Sequence, residues 1–235
     1  HYNALDRPWS EEEFHEQCRY MSELCSVTLL SNKNHYTRWE GGTDFFEWCE
    51  RQGIQLDQSK GVSKVGEVGF NFGSCHPYFP LAPDGELRDV LELCLPTQDL
   101  EIFAPPAVLP PLLDAVEKHH GVLHLLFHPA HIAKPGVAQA ISDAVAAAQR
   151  RGLEWWTALQ INNWERARRR IRWENLQSDE NRCEVSVSSA QSLPDATLLF
   201  LGAPPRLTVN GQERDSRTTT RWGFEFQAVT LDVGD

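Results

Sequence analysis

The sequence predicts a parallel α/β region over residues 1–177, followed by a small β-sandwich-like region over residues 178–235. Three observations predict it. Short apolar runs alternate with longer amphipathic stretches, the strand, loop and helix rhythm of parallel α/β proteins. Residues suited to chemistry (Arg38, Asp57, His76, Asp99 and His128) fall at the ends of those runs or in the loops after them, where such proteins place function. After about residue 178 the helical periodicity stops, and short strand-like runs follow one another around an Asn210-Gly211 turn signal.

Each element has its own warrant. Ser10 can cap a helix over residues 9–25, with Glu13 completing a capping box and acidic residues favouring the first turn. Val27 to Leu30 reads as a strand and leads into a polar loop, Ser31 to Gly42. Thr43 to Gln52 is a helix with Phe45, Phe46 and Trp48 on its apolar face and Gly53 at its end. Ile54 to Asp57 and Val68 to Phe72 read as strands. The second is followed by the tip Ser74-Cys75-His76-Pro77. Asp89 to Leu95 is a further apolar segment, ending near Gln98 and Asp99. The proline-rich stretch Pro105 to Pro111 is a loop into a helix at Leu112 to His119. Gly136 to Arg151 is an alanine-rich helix closed by Gly152. Leu153 to Thr157 reads as a strand and Ala158 to Trp173 as an arginine-rich helix. Ser178 to Asn181 is a linker. Beyond it Cys183–Val187, Thr197–Leu201, Leu207–Val209 and Trp222–Val233 read as strands.

Composition narrows the function. At 41% hydrophobic residues the 235-residue chain has material for a sizeable core. A formal net charge of −11 argues against a general nucleic-acid or anionic-membrane binder. The basic cluster Arg166 to Arg172 reads as the solvated face of a helix. No run reaches the roughly 18 apolar residues of a membrane helix. The six cysteines form no Cys-x-x-Cys pair, and most read as buried thiols rather than a disulfide scaffold. The chain starts at His1, its only methionine is Met21, and no signal peptide is visible. Both ends are expected to be cuts.

The stretch Gly121-Val122-Leu123-His124-Leu125-Leu126-Phe127-His128-Pro129-Ala130-His131 stands at the centre of the functional reading. As a helix it would place His124 and His128 on one face, a possible metal pair. As a strand it would set them about 13 Å apart, too far to share an ion. The strand is favoured, because a glycine opens a short apolar run and a proline closes it, and Leu125 stands where a zinc-protease helix needs glutamate. His128 is then a strand-end residue. Arg38 also stands out, since a guanidinium orients carboxylates bidentately.

Several motifs together resemble polysaccharide deacetylase-like domains, the chitooligosaccharide-deacetylase-type, metal-dependent carbohydrate amidases and esterases. They are Arg38-Trp39-Glu40-Gly41, Asp44-Phe45-Phe46-x-Trp48, Gly53-Ile54-x-x-Asp57 and Gly121 to Pro129. The resemblance covers about residues 1–173 and implies an irregular (β/α) barrel, here partial. It implies His128 as general acid, Arg38 as the residue that holds a catalytic aspartate, and His1 as a metal ligand. The second histidine of the family's His-x-x-x-His pair is replaced by Leu5. The family's Asp-Asp strand end has no counterpart in the chain. His76, Trp39 and Asp99 are the candidate substrate contacts, and Trp155, Trp156 and Trp164 could stack on sugar rings.

The implied activity is removal of acetyl groups from an N- or O-acetylated carbohydrate with a divalent metal, by expectation zinc. With the Asp-Asp motif missing, these 235 residues alone are expected to be inactive. Two other readings compete. One is a non-catalytic, carbohydrate-associated scaffold domain that has lost its metal site, which Leu5 favours. The other is a glycoside hydrolase using carboxylates such as Glu40, Asp57 or Asp99.

Overall fold

Ser10 starts the first helix. In the computed structural model, which describes residues 1–2, 5–180, 182–202 and 206–234, α1 spans Glu11–Cys25. The Ser10 hydroxyl accepts the Glu13 N–H at 3.3 Å. The other half of the expected capping box is absent: the Ser10 N–H goes to the Tyr2 hydroxyl, and the Glu13 carboxylate accepts the Gln17 amide at 2.8 Å instead. Phe14 and Cys18 turn inward, and Ser26 ends the helix at φ 52°. The first strand, β1, is Ser31–Asn32, just beyond the run expected to form it. α2 is Asp44–Gln52, with Phe45, Phe46 and Cys49 buried and Gly53 at φ 76° closing it. These side chains and Tyr2, Ile54 and Val90 form one core, against which Trp9, Trp39 and Trp48 pack.

The chain divides into two units, residues 1–159 and 160–235. In the first, β2 is Leu56–Asp57, β3 Leu91–Glu92, β4 Thr97–Gln98 and β5 Leu125–Leu126. β1, β2 and β3 are parallel neighbours in that order, and β4 and β5 form a second parallel pair. β3 and β4 are the two ends of one buried stretch, residues 91–98, which the Gly61–Leu95 bridge also ties to the segment after β2. Strand neighbours therefore follow chain order, with α2 in the connection from β1 to β2 and no α-helix in that from β2 to β3. The sheets of this unit are short, and none closes among the described residues.

The expected strand at Val68–Phe72 does not form. Gly69 at φ 143° and Phe72 at φ 55° break the run, which becomes a 3₁₀ turn over Asn71–Gly73. α3, Leu109–His119, begins inside the proline run rather than after it, because a proline in the first turn lacks only an N–H that the helix leaves unused. α4 is Val137–Arg150. Its Ala140, Ala144 and Ala148 repeat every fourth residue and pack on Leu100, Leu109 and Leu113, with Leu123, Leu125 and Phe127 of the β5 segment around them. Leu153 joins this core from one side, but residues 154–157 are exposed and make no strand, contrary to the sequence expectation. Alternating apolar content does not suffice when no neighbouring strand supplies the hydrogen bonds.

α5, Ala158–Arg169, stops short of the expected Trp173, which lies in β6, Arg172–Ser178. β6 pairs antiparallel with β7, Cys183–Ser188. The expected linker is the turn of this hairpin: the Asp179 carboxylate accepts the Arg182 N–H at 2.8 Å, and Asn181 lies outside the described residues. The β6–β7 hairpin thus spans residue 177 and lies wholly within the second unit. β8 is Leu193–Leu201, β9 Thr208–Val209, β10 Gln212–Glu213, β11 Arg217–Arg221 and β12 Phe224–Val233. β11, β12 and β8 form an antiparallel sheet in that order. Asn210 and Gly211, at φ 51° and 77°, join β9 to β10 as the turn signal required. Ala167, Leu193 and Val233 form one core cluster in this unit.

Candidate metal centre

The centre forms where β4 and β5 end side by side. Asp99 follows β4 directly, and its N–H is bonded to the Leu126 carbonyl at 2.8 Å. Its φ is 36°, an unfavourable value for a residue with a Cβ. That geometry lets the Asp99 carbonyl accept the N–H groups of Ile102 and Phe103, so the chain folds back at once. The carboxylate is left aimed at the end of β5, with no exposed side-chain surface.

β5 runs into His128, and Pro129 stops it. Residues Pro129–His131 form a 3₁₀ turn in which the His131 N–H bonds the His128 carbonyl at 2.9 Å. Side chains three residues apart eclipse in a 3₁₀ turn, so His128 and His131 come to one side. Their ring centroids are 5.1 Å apart. Both rings meet Asp99. Its Oδ1 accepts the His128 backbone N–H at 2.7 Å, and its Oδ2 lies 2.5 Å from His128 Nδ1 and 2.8 Å from His131 Nδ1.

Burial alone would raise the Asp99 pKa. The hydrogen bonds from the His128 backbone and from both imidazoles outweigh it and hold the carboxyl below the ordinary aspartate value. An ionised carboxylate only accepts, so each Nδ1 is assigned a proton and each Nε2 is left with its lone pair. Asp99, His128 and His131 each offer one ligand atom, all within 4.8 Å of one another, so the group can hold a metal ion. Two imidazoles and one carboxylate are a donor set that several divalent transition metals accept.

Other candidate residues lie elsewhere. Arg38 Nε donates to Glu40 at 2.7 Å, its Nη2 donates to the same oxygen, and Nη1 reaches the Arg7 carbonyl at 3.2 Å. Glu40 therefore takes the guanidinium that the resemblance gives to a catalytic aspartate. Trp39 donates to the Gly42 carbonyl, packs on Phe45 and Phe46, and has Lys60 Nζ 3.7 Å from its ring centroid. His1 sits edge-on to His35 at 5.0 Å, beside the Tyr2–Asn34 bridge, and is not a member of the Asp99 group. Asn3 and Ala4 of its motif lie outside the described residues. His76 is exposed, its N–H bonded to Ser74 Oγ at 3.2 Å. His124 is not a member of the Asp99 group, and β5 takes up only Leu125–Leu126 of the stretch. Its Nδ1 lies 3.3 Å from the Leu93 carbonyl, and burial, with the Lys33 charge, lowers its pKa to about 4.

Sequence reasoning therefore found two of the three members, Asp99 and His128, but not as one group. It passed over His131. The signal was available: a histidine three residues after another, across a proline at a strand end.

Comparison with family models, with curated proteins and with solved structures finds no match for the chain. Among the described residues no helix is long and apolar enough to cross a membrane.

Proposed function

We propose that the chain carries the centre of a metal-dependent hydrolase that removes acetyl groups from an N- or O-acetylated carbohydrate. One observation supports it above the rest: a single buried carboxylate holds two imidazoles at the carboxyl ends of adjacent parallel strands. The motif resemblance around Gly121 to Pro129 supplies the reaction class, the carbohydrate substrate and the irregular (β/α) barrel to which the parallel strands would belong.

Zinc is the ion that this donor set and a hydrolytic reaction suit best, and Asp99, His128 and His131 are the residues that would hold it. When bound, such an ion polarises a carbonyl oxygen and acidifies a water. Asp99 orients both rings through Nδ1, and an ion held by its carboxylate and those two nitrogens would take the place of the two Nδ1 protons. His128, with 40% of its side chain exposed against 24% for His131, is the ring better placed to meet a substrate. As general acid it would carry a second proton on Nε2, as an imidazolium whose Nδ1 stays bonded to Asp99, and hand that proton to the leaving nitrogen or oxygen. Ligation and proton donation at His128 exclude each other, and one experiment separates them.

That experiment is zinc titration calorimetry on wild type, His131→Ala, Asp99→Ala and His128→Ala. Wild type is expected to bind, and the Asp99 and His131 variants to lose at least tenfold in affinity. Retained binding in His128→Ala assigns His128 the proton; lost binding assigns it a ligand role. A wild type that binds no zinc would overturn the hydrolase reading and favour the carbohydrate-associated scaffold. The glycosidase alternative has less support: it needs two carboxyl groups facing a cleft, whereas Asp57 is fully buried and Glu40 is tied to Arg38.

A further inference from the structure

Asn32, Asp57 and Glu92 are register partners across β1, β2 and β3, and all three are buried. The Asp57 carboxyl is well supplied. Its Oδ1 accepts Asn32 Nδ2 and Ser59 Oγ, both at 2.8 Å, and its Oδ2 accepts the Ser59 N–H at 3.0 Å. Glu92 Oε1 accepts the Lys60 N–H at 2.9 Å. Glu92 Oε2 is buried and receives no donor, and the two carboxyl groups stand side by side on one face of the sheet, on register partners that are both fully buried. Two carboxylates on neighbouring register positions and out of water repel, so ionising both is strongly disfavoured. One proton between them removes the repulsion and gives the orphan oxygen its bond.

We propose that Asp57 and Glu92 share one proton, held on Glu92 and donated to Asp57, and that this proton is a pH-sensitive latch joining β2 to β3 at their carboxyl ends. It does not rest on the hydrolase reading. Burial and the Asp57 charge hold the Glu92 pKa well above the ordinary glutamate value, while burial raises that of Asp57 against the bond from Glu92, which lowers it. The groups facing the pair are Lys33 beyond β1, Lys60 beyond β2, Cys49 on α2, and Tyr78 and Cys94 beside β3. Burial keeps the thiols and the phenol neutral by raising their pKa, that of Cys94 to about 12. It lowers Lys60, and it lowers Lys33 to about 8.

The signs are opposite. A raised carboxyl pKa means that the folded protein holds the extra proton, so the latch loses stability as pH rises from about 4.3 toward the folded value. The lowered Lys33 pKa means that the unfolded chain holds the extra proton, so its contribution grows from about pH 8 toward the ordinary lysine value of 10.5. The informative window therefore lies below about pH 8.

Urea unfolding of the full chain and of Glu92→Gln, from about pH 5 to pH 8, tests the latch. Glutamine copies the protonated acid and cannot lose the proton. The unfolding constant of wild type is expected to rise relative to the variant by up to about tenfold per pH unit. Parallel profiles would overturn the proposal. Should Glu92→Gln fail to fold, the infrared spectrum of wild type at neutral pH decides. A protonated-carboxyl band supports the shared proton, and its absence refutes it.

Discussion

Asp99 combines an unfavourable backbone with a heavily used side chain. Its positive φ costs about 1 kcal/mol for a residue with a Cβ. The return is a carboxylate that three donors reach at once. Asparagine there would turn an NH2 group toward one of the donors and leave it unpaired. Asp99→Asn is therefore expected to lower stability by about 1–3 kcal/mol, measured by urea unfolding at neutral pH. In nitrogen-15 spectra at least one of the two imidazoles should lose its Nδ1–H tautomer. Unchanged tautomers in both rings would mean that Asp99 does not set them. Because the Asp99 pKa is lowered in the folded state, its contribution is present above the unfolded value of about 3.9 and is lost as pH falls through the folded one. Asp99→Asn should flatten the acid limb of the stability curve.

At the scale of elements, two close fits make sharp predictions. Gly121 opens the β5 segment, as the sequence suggested, but its reason is contact. A Cβ there would lie 2.2 Å from Cys75 Sγ and 2.7 Å from the Cys75 carbonyl oxygen. The Cys75 carbonyl is itself bonded to the Val122 N–H at 2.8 Å, so it cannot simply retreat. Gly121→Ala is expected to destabilise by about 1–3 kcal/mol and to loosen the entry to β5, read as faster amide exchange at Val122. The end of α1 offers the opposite case. Ser26 occupies a left-handed cap at φ 52°, the position that glycine prefers. Ser26→Gly should gain about 1 kcal/mol, seen as a rise in the thermal midpoint. No rise would place the cost of that turn elsewhere.

At the scale of the molecule, pH acts on the first unit from both sides. The Asp99 carboxylate loses its contribution toward acid, and the Asp57–Glu92 proton loses its own as pH rises. Stability is expected to peak between those limbs in urea titrations across pH. Combining Asp99→Asn with Glu92→Gln should broaden the peak on both sides, since each substitution removes one of the two linkages. The rhythm of strands and helices that sets these groups side by side was legible beforehand. α1, α2 and α4 follow caps and periodicity closely, because those signals are local. The misread segments are those whose fate depends on distant partners. Val68–Phe72 and Leu153–Thr157 have strand composition but no ladder, and Arg172–Trp173 left the helix because β7 lies there to pair with them.

By itself the sequence determined the strand–helix alternation, the strand-end position of His128 and the tight turn at Asn210-Gly211. Each depends on neighbours a few residues away: a proline that stops a strand, or a glycine that accepts a left-handed turn. Only the tertiary structure decided that Asp99 and His128 belong to one group, that His131 joins them, and that Arg38 is held by Glu40. The partners in the first case lie 29 and 32 residues apart along the chain. Strand pairing, which no local pattern encodes, brings β4 beside β5 and so sets one carboxylate under two imidazoles. The same cause placed Asp57 against Glu92, where register across two parallel strands forces two acids to share a proton.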